Sequence, residues 1–89
     1  MEMQVTYKGT DATSELDSRL EEVQSKVEAA VPGARFVKYV VEETPRAHAV
    51  GLVVTLADGD TWVRHAEGPD WERAFLEIER RLDRLGGDD

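Results

Sequence analysis

Cysteine is absent from the 89 residues. That excludes disulfides and thiolate metal ligands, and it leaves a cytoplasmic location as the expectation. Positive charge is scarce: 11 lysines and arginines stand against 19 aspartates and glutamates, a formal net charge of −8. A chain this acidic is repelled by phosphate backbones as a whole, so any contact with nucleic acid must come from a local basic patch. No apolar run approaches the ~20 residues of a membrane span, and the acidic start of the chain carries no signal-peptide pattern, so no membrane partner is expected. Histidine occurs only at His48 and His65, without the spacing of a metal site. No nucleophile elbow surrounds Ser14, Ser18 or Ser25, and adjacent glycines occur only at Gly86-Gly87, so no loop is built to cradle phosphate. The expectation is a non-enzyme with no cofactor and no metal.

What is present suffices for one folded core. Hydrophobic residues make up 40% of the chain, enough to oppose disorder in a single small domain. Met3–Lys8 alternates apolar and polar residues as a strand does. After a polar connector over 9–12, Thr13 is a helix N-cap, and Leu16, Leu20, Val23, Val27 and Val31 recur at helical spacing until Pro32-Gly33. On this first helix Asp17, Glu21 and Glu28 form an acidic flank, while Glu15–Arg19 and Glu22–Lys26 are i,i+4 pairs in the favourable order.

Arg35–Glu43 is rich in β-branched and aromatic residues and reads as a second strand, broken by Thr44-Pro45-Arg46. Ala47–Leu56 is a third strand, with His48, Val50, Leu52, Val54 and Leu56 on one face and Gly51 marking a bulge or a close backbone approach. Asp58-Gly59 turns the chain, and Thr61–Glu67 is the fourth strand, with Trp62, Arg64 and Ala66 sharing a face. A closing helix follows, capped by Gly68 with Pro69 at its first position or by Asp70 one residue later. Trp71, Ala74, Phe75, Ile78, Leu82 and Leu85 form its core-facing stripe, and Gly86-Gly87 ends it.

The order β-α-β-β-β-α predicts an α+β two-layer sandwich, a four-stranded sheet with two helices on one face. The single domain is expected over 1–85, with a disordered tail at 86–89. Trp62 and Trp71, on either side of the strand-to-helix turn, are expected to pack near each other.

The closing helix divides its polar side. Arg73, Arg80 and Arg84 line one flank with Arg81 beside them, interrupted by Glu77; Glu72, Glu79 and Asp83 line the other, with Leu76 among the acids. This is either an anion-binding stripe or a set of ion-paired surface charges. Which neighbour each flank meets is open at this level.

The run Ala66-Glu67-Gly68-Pro69-Asp70, followed by Ala74, Phe75, Ile78, Arg81, Leu82 and Arg84, resembles the end of the ribosome hibernation-promoting factors, also described as ribosome-associated inhibitors or sigma-54 modulation proteins. Thr13-x-x-Leu16 and Lys26-Val27-Glu28 on the first helix agree with it. The resemblance spans nearly the whole chain and implies a fold similar to a double-stranded-RNA-binding domain. It implies a factor that docks on the small ribosomal subunit, against ribosomal RNA, and blocks translation under stress. It matches Lys26, Arg81 and Arg84 to basic family positions, and the helical face adds Arg73 and Arg80 as candidate RNA contacts. With no dimerisation domain after Leu85, the chain resembles the short form. It differs from the family at Asp17 and Val23, where basic residues are usual, at Glu72, Arg64 and Leu76, and in lacking a lysine-rich extension. The alternative expectation is a protein-interaction module, pairing with itself or with an unknown protein on the same fold, without ribosomal RNA binding.

Overall fold

The computed structural model describes residues 2–87, with side chains described over 2–84. The elements follow in the order β1 (Glu2–Lys8), α1 (Ser14–Ala30), β2 (Ala34–Glu43), β3 (His48–Leu56), β4 (Thr61–Gly68) and α2 (Trp71–Gly87). The sheet order is β1-β2-β3-β4. β1 lies parallel to β2, and β2–β3 and β3–β4 are antiparallel. The parallel pair requires a crossover and the antiparallel pairs need only short turns, so α1 sits between β1 and β2 while β2 to β4 form a meander.

Local signals set the element ends. Thr13 has an extended backbone, and its hydroxyl oxygen accepts from Leu16 N at 3.1 Å. Glu15 and Asp17 in the first turn of α1 complement the positive end of the helix dipole. Gly9, between β1 and α1, has a φ of 72°, and a Cβ there would stand 2.2 Å from the Glu43 carbonyl oxygen. Only glycine fits. In the β3–β4 turn Gly59 has a φ of 93°, and Asp58 Oδ1 accepts from Asp60 N at 3.0 Å. Of the two caps open for α2, Asp70 is the one used: its Oδ1 accepts from Arg73 N at 2.8 Å.

The core lies between the sheet and the helices. Leu16, Leu20, Val23 and Val27 of α1 and Ala74, Phe75, Ile78 and Leu82 of α2 bury against alternating side chains of β2 and β3 (Val37, Tyr39, Val41, Val50, Leu52, Val54) and Ala66 of β4. No polar or charged residue is buried among the described residues. Tyr39, the largest buried side chain, satisfies its hydroxyl by donating to Gln24 Oε1 of α1 at 2.5 Å.

Four expectations change. Gly51 carries no bulge: the register runs unbroken through Val40–Gly51–His65, and the irregularity lies between Ala34 and Phe36. A Cβ on Gly51 would make only ordinary contact, 3.5 Å from the His65 ring. Trp62 and Trp71 do not meet, because Trp62 pairs with Val54 at one end of the β3–β4 ladder while Gly68, next to the α2 turn, pairs with His48 at the other. Six residue steps along the strand, roughly 20 Å at ~3.3 Å each, separate Trp62 from Gly68. Trp71 instead sets its indole edge-on to His48 at 4.6 Å. The Glu15–Arg19 and Glu22–Lys26 pairs do not form, since both basic side chains turn toward α2. The helix continues through Gly86 and Gly87. The rest of the predicted tail, Asp88 and Asp89, lies outside the described residues, as does the side chain of Leu85.

Candidate nucleic-acid interface

The phase of α2 is set at its start by the Asp70 cap and along its length by the burial of Ala74, Phe75, Ile78 and Leu82. With those four inward, the helical repeat sends Arg73, Arg80, Arg81 and Arg84 to one flank and Glu72, Glu79 and Asp83 to the other. The contacts between the helices identify the flanks. Lys26 Nζ reaches Asp83 Oδ1 at 3.1 Å, and the Arg19 guanidinium lies over the Phe75 ring, 5.4 Å from its centroid. The acidic flank of α2 therefore faces α1.

The arginine flank faces the other way, over β4. Glu67 and Gly68 of this edge strand share a shallow depression with Arg73, Leu76, Arg80 and Arg81. Leu76, expected among the acids, is 49% exposed and lines the same depression as the arginines. Glu77 interrupts the flank. Its carboxylate accepts from Arg81 Nε at 3.3 Å and stands 3.8 Å from Arg80 Nη1. These are intrahelical pairs between side chains that keep solvent contact, and such pairs hold their partners weakly. Arg73 and Arg84 have no ion pair among the described residues.

Three acids of α1, Asp17, Glu21 and Glu28, lie on the side of that helix away from α2, whereas Glu15 lines a depression with Arg19 and with Trp71 and Glu72 of α2. Tyr7 of β1 donates its hydroxyl to Asp17 Oδ1 at 3.1 Å, which places the Asp17, Glu21 and Glu28 flank toward the β1 edge. Burial first, and then the bond to Asp17, raises the Tyr7 pKa. The Tyr39 hydroxyl is pushed up as well, by burial first and then by the negative charge of Glu28. The arginines of α2 thus stand apart from the Asp17, Glu21 and Glu28 flank of α1, with Glu67 and Glu77 as the acids that share their depression.

The five predicted contacts do not form one cluster. Arg73, Arg80, Arg81 and Arg84 share a flank, whereas Lys26 stands on the α1 side of α2 and engages Asp83. Arg64 joins the arginine side. It lies on the helix-facing side of β4, between Trp62 and the buried Ala66, with its guanidinium carbon 4.2 Å from the Trp62 ring centroid. The period-2 alternation of β4 put it on that face; the pattern did not carry the information that β4 is the edge strand below the arginine flank.

The histidines have local partners. His48 Nε2 is 3.8 Å from Glu43 Oε2, and His65 Nε2 is 4.0 Å from Glu67 Oε2. Only His65 lies on an edge strand; His48 begins the internal strand β3. Among the described residues no group of three or more His, Asp or Glu side chains is arranged to hold a metal ion. No helix there is long and apolar enough to cross a membrane.

No known family pattern matches the chain, and no curated protein matches it in sequence. Solved structures do share its fold. A ribosomal subunit interface protein from Coxiella burnetii superposes with a TM-score of 0.77 at 20% identity, covering 96% of this chain and 93% of that one. The N-terminal domain of Protein Y from Thermus thermophilus gives a TM-score of 0.73 at 17% identity, covering 97% and 92%. At such identities the likeness is one of fold, over nearly the full length of each chain.

Proposed function

We propose that this protein is a ribosome-associated factor of the hibernation-promoting type, acting on the small ribosomal subunit by occupancy and not by catalysis. The observation that carries the reading is the arginine flank of α2. It is unopposed by α1, exposed over the β4 edge, and borne on a fold shared with a ribosomal subunit interface protein. Its guanidinium groups suit phosphate oxygens, which they meet with paired, charge-assisted hydrogen bonds. Contacts of that kind release counterions and fix position without reading sequence. The acids on the far side orient the approach, because the β1 edge is repelled by the RNA that attracts the β4 edge. Arg73, Arg80, Arg81 and Arg84 make the main contacts in this reading. Lys26, held by Asp83, adds a contact at the far rim of α2. A cytoplasmic location follows from such a partner.

A second reading, a protein-docking module without RNA affinity, draws on the net charge of −8 and on Val63, 57% exposed on the sheet face that no helix covers. Co-sedimentation with purified small subunits separates the two. The ribosomal reading expects saturable binding that Arg80→Glu/Arg84→Glu abolishes. An absence of wild-type binding at both low and near-physiological salt would reject it in favour of the docking module.

A further inference from the structure

Resting on the ribosomal reading, we propose that the RNA-binding surface extends off α2 onto the sheet edge, and that Arg64, held against Trp62, binds a backbone phosphate there. Arg64 occupies a strand position whose neighbours on the same face belong to the core: Ala66 is buried and Trp62 packs against the core cluster. A charged side chain is tolerated at such a position only where it can run out to solvent, and an edge strand allows this. β4 is that edge.

The way Arg64 is held bears on ligand binding. One face of its guanidinium lies over the Trp62 ring at 4.2 Å, and Nη1 donates to the Val63 carbonyl at 2.8 Å. Of five N–H donors on the fork, that is the single hydrogen bond formed among the described residues. No carboxylate pairs with it there, whereas Arg80 and Arg81 share Glu77 and Lys26 is taken by Asp83. Arg64 is thus a cation without an acid, immobilised on an aromatic plane. A fork already fixed in one orientation loses little side-chain freedom when it closes on an oxyanion. The arginine flank of α2 overhangs the same strand, sharing its depression with Glu67 and Gly68. Arg64 does not line that depression; it stands farther along the same strand, opposite Leu52, and in this proposal extends the basic strip of α2 onto the edge of the sheet. A backbone with regularly spaced phosphates is the polyanion that matches a strip of separate, similarly directed guanidinium groups.

The test is small-subunit binding across a salt series for wild type, Arg64→Gln, Arg64→Lys and Trp62→Leu, with Arg80→Glu/Arg84→Glu as reference. Arg64→Gln is expected to weaken binding by roughly 3- to 10-fold at low salt. It should also lower the slope of log affinity on log salt by roughly 0.7 to 0.9, the share of one phosphate. Arg64→Lys keeps the wild-type slope with reduced affinity, because the charge stays and the fork is lost. Trp62→Leu keeps the slope near wild type and loses affinity as the guanidinium becomes mobile. A merely structural Arg64 would change the unfolding midpoint and leave the slope alone. An unchanged slope in Arg64→Gln, with the reference variant still abolishing binding, would overturn this inference and leave the ribosomal reading standing. Absence of wild-type binding would overturn both.

Discussion

Glu77 is the one acid inside the arginine flank, and its removal should change binding and stability in opposite directions. Its carboxylate lies 3.8 Å from Arg80 Nη1, and a phosphate oxygen accepting from that guanidinium stands ~2.9 Å beyond it, so the two negative charges are about 7 Å apart. In water that separation corresponds to ~0.6 kcal/mol of repulsion, and to less than half of that at physiological ionic strength. Glu77→Gln should therefore tighten small-subunit binding by roughly 1.5- to 3-fold, the larger value at low salt. Glu77→Lys, a change of two charges, should roughly square that ratio. The same substitution removes the contacts to Arg80 and Arg81, exposed pairs that contribute at most ~0.5 kcal/mol each, so the urea midpoint should fall slightly. Binding is read by competition sedimentation against wild type, and stability by circular dichroism in urea. Equal or weaker binding by both Glu77 variants would refute the reasoning, because it would mean that the flank does not face a polyanion.

Three further outcomes follow from named contacts. Thr13→Ala and Asp70→Ala each remove a helix cap and should cost ~1 kcal/mol in urea unfolding, without a change in the native circular dichroism spectrum. Tyr39 has a raised pKa, from burial first and then from Glu28. Its contribution is therefore complete below the ionisation of an unfolded tyrosine, about pH 10, and is lost as pH rises beyond it toward the folded value. Unfolding midpoints should fall steeply above that pH in wild type and less steeply in Tyr39→Phe. Lys26→Ala breaks the pair with Asp83 and should cost no more than ~1 kcal/mol in stability, with a smaller loss of subunit binding than Arg84→Ala.

The elements and the stripes that face the core were legible because each follows from its own stretch of chain. Period-2 alternation marked the strands, Thr13 marked the start of α1, and the spacing of Ala74, Phe75, Ile78 and Leu82 fixed the rotation of α2. Relations between stretches were less legible. Nothing in the spacing of Arg73, Arg80 and Arg84 says whether α1 or β4 lies beside them; that depends on strand order and on the side to which the β1-α1-β2 crossover carries α1. For the same reason the intrahelical partners expected for Arg19 and Lys26 lost to Phe75 and Asp83, which no local pattern brings near. Trp62 and Trp71 are close in sequence but lie at opposite ends of a strand. Gly51 shows the ambiguity of a lone glycine, which can sit in an undisturbed ladder on an open sheet face.

The central claim is that the β4 side binds ribosomal RNA through a local arginine strip despite the net negative charge. The most direct test restores the charge at the wrong place. Arg80→Glu/Arg84→Glu makes the protein more acidic, and adding Glu21→Lys/Glu28→Lys on the exposed acidic flank of α1 returns the net charge to −8. The measurement is co-sedimentation of this quadruple variant with small ribosomal subunits, beside wild type and each double variant. The account predicts that wild type and Glu21→Lys/Glu28→Lys bind, and that the quadruple variant fails as completely as Arg80→Glu/Arg84→Glu. Recovery of binding in the quadruple variant would contradict it, because net charge and not the arginine strip would then govern association.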